Sequence, residues 1–267
     1  MEDWFSANKL TLNINKTCYM VYSSKNSRKK DVNLKLVING QIINKVSTCK
    51  YLGVHFDDVA KWNVHIDYIY NKLIKFTSIF YKMRTILPKH CLYKLYHAFV
   101  HPHIVYGIEV YGNTCASVLD KLWKLNNKLL RILLNANFEI PVKELYNSFR
   151  VLPIPLLFEF KMLTFMFSSI HHSQHLPEVF KCYFKTNSNV HKHNTRQSSH
   201  LHFDSVNSNI GQRQITFYAS KCWNKLPQHL KEFSSINSFK KNCKQYLLHR
   251  PWLVFIFIVF NFDYKNF

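Results

Sequence analysis

Seven apolar residues, Trp62, Ile66, Ile69, Leu73, Phe76, Phe80 and Met83, follow one another at alternating spacings of four and three. An α-helix turns once every 3.6 residues, so this spacing draws a single stripe down one face and predicts a continuous helix of about six turns. Such a stripe needs other helices to cover it, and the sequence supplies them. Pro88 predicts the start of a second helix carrying Leu92, Leu95, Tyr96 and Phe99, because a first-turn residue has no use for the amide that proline lacks. A third helix is predicted from about Ser117 to Leu134 through Leu119, Leu122, Leu129 and Leu133. Pro141 opens a short fourth, and Pro153 or Pro155 a fifth with Leu156, Phe160, Leu163, Phe167 and Ile170 in four-three spacing. Residues 57–170 therefore read as a helical bundle.

The flanks differ. Residues 1–56 carry short strand signals at Thr17–Tyr22, Leu34–Ile38 and Tyr51–Val54, with Asn39-Gly40 as a turn and the basic stretch Ser23–Asp31 as a loop. Three short strands bury little by themselves, so this piece calls for neighbours. Residues 171–214 hold seven of the 15 histidines among many Ser and Asn, which predicts a polar loop or arm. Residues 215–250 regain order as a basic aromatic segment, ending in a helix around Ser235 to Leu248, and 251–267 form an apolar tail. The expected class is α+β, predominantly α-helical.

Charge narrows the partners. Lys plus Arg number 36 against 15 Asp plus Glu, a formal net charge of +21, which points to an anionic partner: nucleic acid first, acidic membrane second. The longest apolar run, Trp252–Phe260, is about half of a membrane span, so no transmembrane helix is expected. The seven cysteines form no CxxC pair, and the acidic opening Met1-Glu2-Asp3 is unlike a secretory signal. A reducing, intracellular setting, nucleus or cytoplasm, is expected.

Several enzyme classes lack their residues. With five glycines the chain has neither GxGxxG nor GxxxxGK[ST], and GxSxG is missing too. Asp57-Asp58 could hold divalent metal, but the pair directly precedes the long helix, where a carboxylate caps free amides. His171, His172, His175, Cys182, His191 and His193 supply zinc-ligand chemistry without the spacing of a compact finger. Cys91 lies near His90 and His97, yet beside the apolar face of its helix, which disfavours a nucleophilic dyad. The stronger candidates are cationic. Lys25, Arg28, Lys29 and Lys30 crowd one loop. Lys61, Lys72, Lys75 and Lys82 share the polar side of the first long helix. Lys221, Lys225, Lys231, Lys240, Lys241 and Lys244 crowd the far end near Trp223. Such groups make sequence-independent phosphate contacts, and neighbouring aromatics can stack on unpaired bases.

Four phrases, in order, carry a family resemblance. They are Trp4-Phe5-x-x-Asn8-Lys9-Leu10-x-Leu12-Asn13-x-x-Lys16-Thr17, then Lys50-Tyr51-Leu52-Gly53-Val54 with Asp57, Trp62, His65 and Ile66. Leu95 to Gly107 follows, with Tyr96, Pro102, Tyr106 and Gly107, and Trp223-Asn224-Lys225-Leu226-Pro227 closes the series with Phe239-Lys240 downstream. Over residues 4–248 the chain resembles the C-terminal part of the reverse transcriptase of non-LTR, LINE-like retrotransposons. The resemblance implies remnant palm strands and a palm–thumb junction over 1–56, a helical thumb and following helices over 57–170, and RNA and DNA template–primer as partners. In that family a Phe/Tyr-Ala-Asp-Asp hairpin and an earlier aspartate hold two Mg²⁺ ions, and both precede the block matched at Trp4. The chain given contains no such hairpin. The expectation is a polymerase fragment with no catalytic residue or cofactor of its own, Mg²⁺ belonging to the full-length enzyme and the N-terminal palm and fingers being the missing partner. The alternatives are a stand-alone basic nucleic-acid-binding protein of retrotransposon origin and a cationic membrane-surface protein using the 251–267 tail.

Overall fold

The computed structural model describes residues 2–22, 34–38, 40–191 and 196–250. The fold is α+β and mostly helical, and the chain divides into two compact units, residues 1–68 and 69–267. The predicted loop cations Lys25, Arg28, Lys29 and Lys30, His193 and the 251–267 tail lie outside the described residues.

The first unit opens with α1 (Glu2–Ala7) and a 3₁₀ turn at Ile14–Lys16, followed by three two-stranded pieces. β1 (Cys18–Tyr19) runs parallel to β4 (Asn44–Lys45), and β2 (Val37–Ile38) pairs antiparallel with β3 (Gln41–Ile42). β5 (Thr48–Tyr51) pairs antiparallel with β6 (Val54–Asp57). The strand predicted at Tyr51–Val54 is instead the hairpin corner: Leu52 and Gly53 turn with φ of 45° and 82°, as a tight two-residue turn between twisted strands requires. Gly40, with φ 72°, likewise joins β2 to a β3 only two residues away. Of Thr17–Tyr22 only Cys18–Tyr19 is strand, paired over its two residues with the two-residue β4.

Few side chains of this unit are covered. Ile43, Val54 and Ile66 are buried, whereas Leu34, Val37, Ile42, Tyr51 and Leu52 are exposed, Leu52 to 72%. The loop after β6 is organised by Asp57. Its carboxylate oxygens accept from the amides of Lys61 at 2.8 Å and Trp62 at 2.6 Å, across a stretch in which Ala60 and Trp62 both have positive φ. Trp62 packs on Phe56 at 5.2 Å between ring centroids.

The long stripe is not one helix. α2 (Asn63–Leu73) and α3 (Phe76–Ile86) are separated at Ile74–Lys75, where the Thr77 amide bonds to the carbonyl three residues back. The apolar spacing runs in phase across the break, which is why the sequence hides it. In the second unit α4 (Lys89–Phe99), α5 (His101–Val105) and α6 (Ile108–Tyr111) follow, with Gly107 in the left-handed region between the last two. α7 (Ala116–Leu134) packs on α3, α4 and α8 (Val142–Phe149). It buries the predicted Leu119, Leu122, Leu129 and Leu133 and also Asn126. Asn126 is satisfied in place: Tyr96 Oη donates to its Oδ1 at 3.0 Å, and its Nδ2 donates to Tyr146 Oη at 3.0 Å, which in turn donates to Asn127 at 2.7 Å.

α9 (Ile154–His171) is the second axis, contacted by α6, α13 and α15. Nine of its residues are buried on several sides, so its core is wider than the single stripe predicted, and Ile170 at the end of that stripe is exposed. The segment 171–214 is more structured than a plain arm. It contains a 3₁₀ turn at Ser173–His175, the short helices α10 (Glu178–Lys181), α11 (Asn187–Val190) and α12 (Asn209–Gln212), and a bridge between Thr186 and Leu201. α13 (Ile215–Lys225), α14 (Gln228–Lys231) and α15 (Ile236–His249) close the unit. Among the described residues no single helix is long and apolar enough to cross a membrane.

Candidate nucleic-acid interface

The cations divide between exposed and engaged groups. In the second unit Lys72, Lys75 and Lys82 are exposed on α2, the α2–α3 break and α3, where Arg84 stacks on Tyr81 at 3.8 Å. Lys121 lies over Tyr70 at 4.5 Å and Lys124 pairs with Asp120 at 2.6 Å. On α15, Lys240 and Lys241 are exposed, but Lys244 is half-buried, and burial lowers its pKa. Lys244 bears electrostatically on His97 and His101 of α4 and α5. Burial, then the nearby charges, pushes His101 down to about 4. Lys231 is also half-buried. In the first unit Lys61 is exposed, its amide bonded to Asp57.

The aromatic partner read from sequence for the far-end lysines is elsewhere. Trp223 is 6% exposed and packs on Phe239, so it is a core residue with no face for a base. The rest of its motif is also architectural. Asn224 Oδ1 accepts from the Leu201 amide and its Nδ2 donates to the Leu201 carbonyl, both at 2.9 Å, so the side-chain amide acts as a strand partner that pins the 186–202 segment to α13. Leu226 is buried and Pro227 starts α14.

The other family-like residues fall into the same category. Asn8 Nδ2 donates to the Trp4 carbonyl at 2.8 Å, and Asn13 Oδ1 accepts from the Lys16 amide at 3.3 Å, while Trp4 and Leu10 are exposed. His65 is buried, and burial with His55 beside it pushes its pKa down to about 4, so it is neutral near pH 7. Pro102 stands in the first turn of α5, Tyr96 is in the core and Tyr106 is exposed.

Among the described residues no metal-ligand set is assembled. Both Asp57 oxygens are occupied by backbone amides, and among the described residues no three of His, Cys, Asp or Glu converge on one point. His171 Nε2 meets the Lys231 carbonyl at 3.1 Å, and His202 bridges Asn187 and Asp204 at 3.1 and 3.3 Å.

Sequence reading missed a cleft of about 150 Å³ in the second unit, between the start of α7, the start of α9, and α12–α13. Gly112, Phe158 and Phe217 give it apolar walls, and Arg213, Lys221, Lys225 and Arg250 line it against one acid, Glu159. Glu159 is 7% exposed and accepts from Arg250 Nη1 at 2.9 Å. Its pKa is nonetheless raised, because loss of water outweighs the attraction of Arg250 and Lys225. Burial likewise raises the Cys222 thiol and the Tyr218 hydroxyl, leaving both neutral at physiological pH. The residues come from positions about a hundred apart, and no local motif marks them. Comparison with family models, with curated proteins and with solved structures finds no match to this chain.

Proposed function

We propose that the chain is the rear part of a non-LTR reverse transcriptase, contributing template–primer contacts and performing no nucleotidyl transfer by itself. The observation that carries this reading is the exposed cation set on α2, α3 and α15, Lys72, Lys75, Lys82, Lys240 and Lys241, in a chain of net charge +21. Point charges on mobile stems suit phosphates of any sequence. The open strands of the first unit support the fragment reading: exposed Val37, Ile42, Tyr51 and Leu52 are what a sheet shows when its neighbouring layer is elsewhere. Asp57, whose two oxygens each accept from a loop amide, supports reading the Asp57-Asp58 pair as structural.

The test is binding of the purified chain to a labelled RNA–DNA hybrid between 50 and 300 mM salt. Three to six phosphate contacts give a slope of log K against log salt of about −2 to −5. A flat profile, or no binding at 50 mM, refutes the reading. The stand-alone binding protein is favoured by the closed core of the second unit. It predicts a monomer at micromolar concentration, whereas open strand edges predict association in sizing chromatography.

A further inference from the structure

We propose that the cleft between α7, α9 and α12–α13 receives one unpaired base of a bound single strand, with the flanking phosphates on Lys221 and Lys225. The inference rests on the nucleic-acid reading and gives it a specific contact. Size is the first argument. A cleft of about 150 Å³ with apolar walls has room for one aromatic ring.

The walls are the second. A Cβ on Gly112 would stand 2.7 Å from the Phe158 ring and 2.6 Å from the Ile108 carbonyl, so glycine is what keeps α6 close against α9 at this edge. Phe217 offers ring surface, and Lys221 already lies over that ring at 5.4 Å, whereas Phe158, 4% exposed, serves only as a packed wall. Aromatic surface beside ammonium groups is the pairing that stacks bases and holds their backbone.

The polar groups are the third. Lys221 and Lys225 stand one turn apart on α13 at the cleft, Lys225 exposed. The one acid, Glu159, is neutralised by Arg250 and does not repel the strand.

The probes are a fluorescein-labelled oligo-dC of eight nucleotides and an abasic strand of equal length, which keeps every phosphate and loses every base. The full chain should bind oligo-dC about tenfold more tightly than the abasic strand, within what stacking of one base contributes. Ala116→Trp, which fills the cleft, should bring that ratio below twofold and leave abasic binding unchanged. If that variant fails to fold, Phe217→Ala serves, removing a wall and giving the same collapse. Equal binding of the two strands by the unmodified chain, or a ratio retained in a folded variant, overturns the cleft assignment and leaves the cationic reading standing. No binding of either strand at 50 mM salt overturns both. CMP at a concentration equal to the strand should displace almost none of it; full displacement would mark a free-nucleotide site and overturn the strand assignment.

Discussion

Replacing Arg250 with methionine should destabilise the second unit by about 3–4 kcal/mol at pH 7.5 but only about 1–2 kcal/mol at pH 5. Methionine keeps much of the apolar stem and removes the guanidinium that donates to Glu159 at 2.9 Å. Glu159 stays buried and becomes a carboxylate without its ion-pair partner, and breaking one side of a buried pair typically costs about 3–5 kcal/mol. Protonation sets a ceiling on that cost. The unfolded carboxyl titrates near 4.5, so holding it neutral at pH 7.5 means three pH units at about 1.36 kcal/mol each, near 4 kcal/mol in all. At pH 5 the same step costs under about 1 kcal/mol, plus about 1 for the lost hydrogen bond.

The direction follows from linkage. The folded pKa of Glu159 is above its unfolded value, so between the two the folded chain holds more protons and this group's contribution to stability falls as pH rises. Removing Arg250 widens that window upward. Urea unfolding followed by tryptophan fluorescence, with Trp223 as a core reporter, measures both variants at both pH values. Adding Glu159→Gln to Arg250→Met should recover most of the loss at pH 7.5. A loss equal at pH 7.5 and 5, or below about 1 kcal/mol at pH 7.5, would refute a buried charged pair.

Other consequences follow from the same contacts. Asn224→Ala removes both bonds to Leu201 and should cost about 1–3 kcal/mol, with faster proteolytic cleavage within 186–202; unchanged cleavage would mean the amide does not hold that segment. Changing Lys72, Lys75 and Lys82 together to glutamine should make the salt slope shallower by about 2–3 with no change in melting temperature, and an unchanged slope removes these lysines from the interface. Replacing Asp57 and Asp58 by alanine should lower melting temperature and spare the salt slope, since Asp57 serves two loop amides. Deleting residues 251–267 should leave oligonucleotide affinity intact; the membrane-surface alternative instead predicts anionic-vesicle binding that disappears with that segment.

What the sequence disclosed depended on the range of the interaction. Pro88, Pro141 and Pro153 each stand at a helix start, because a missing amide is a local fact that proline announces alone. The α7 stripe was legible for the same reason. The break at Ile74–Lys75 was not, since Leu73 and Phe76 keep the stripe in phase on both sides of it. Glu159 meets Arg250 91 positions away, and Asn224 meets Leu201 23 positions away. Nothing local to either residue reports its partner, so the cleft and the pinned segment emerge only when the helices are packed.

This division bears on where function should be sought. The residues that carry the family resemblance are mostly spent on architecture: Trp223 in a core, Asn224 on a backbone, Asp57 on a loop, Tyr96 on Asn126. A buried side chain with satisfied bonds has little left to offer a ligand, so a signature of this kind constrains the fold more tightly than the chemistry. The better candidates are groups that no motif singles out: the exposed lysines of α3 and α15, and the lysines at the cleft. Phosphate contacts need only charge and reach, which drift among positions without changing the fold. Substitutions along α13 and α15 should therefore separate the two roles, with Trp223 and Phe239 governing stability and Lys225, Lys240 and Lys241 governing affinity.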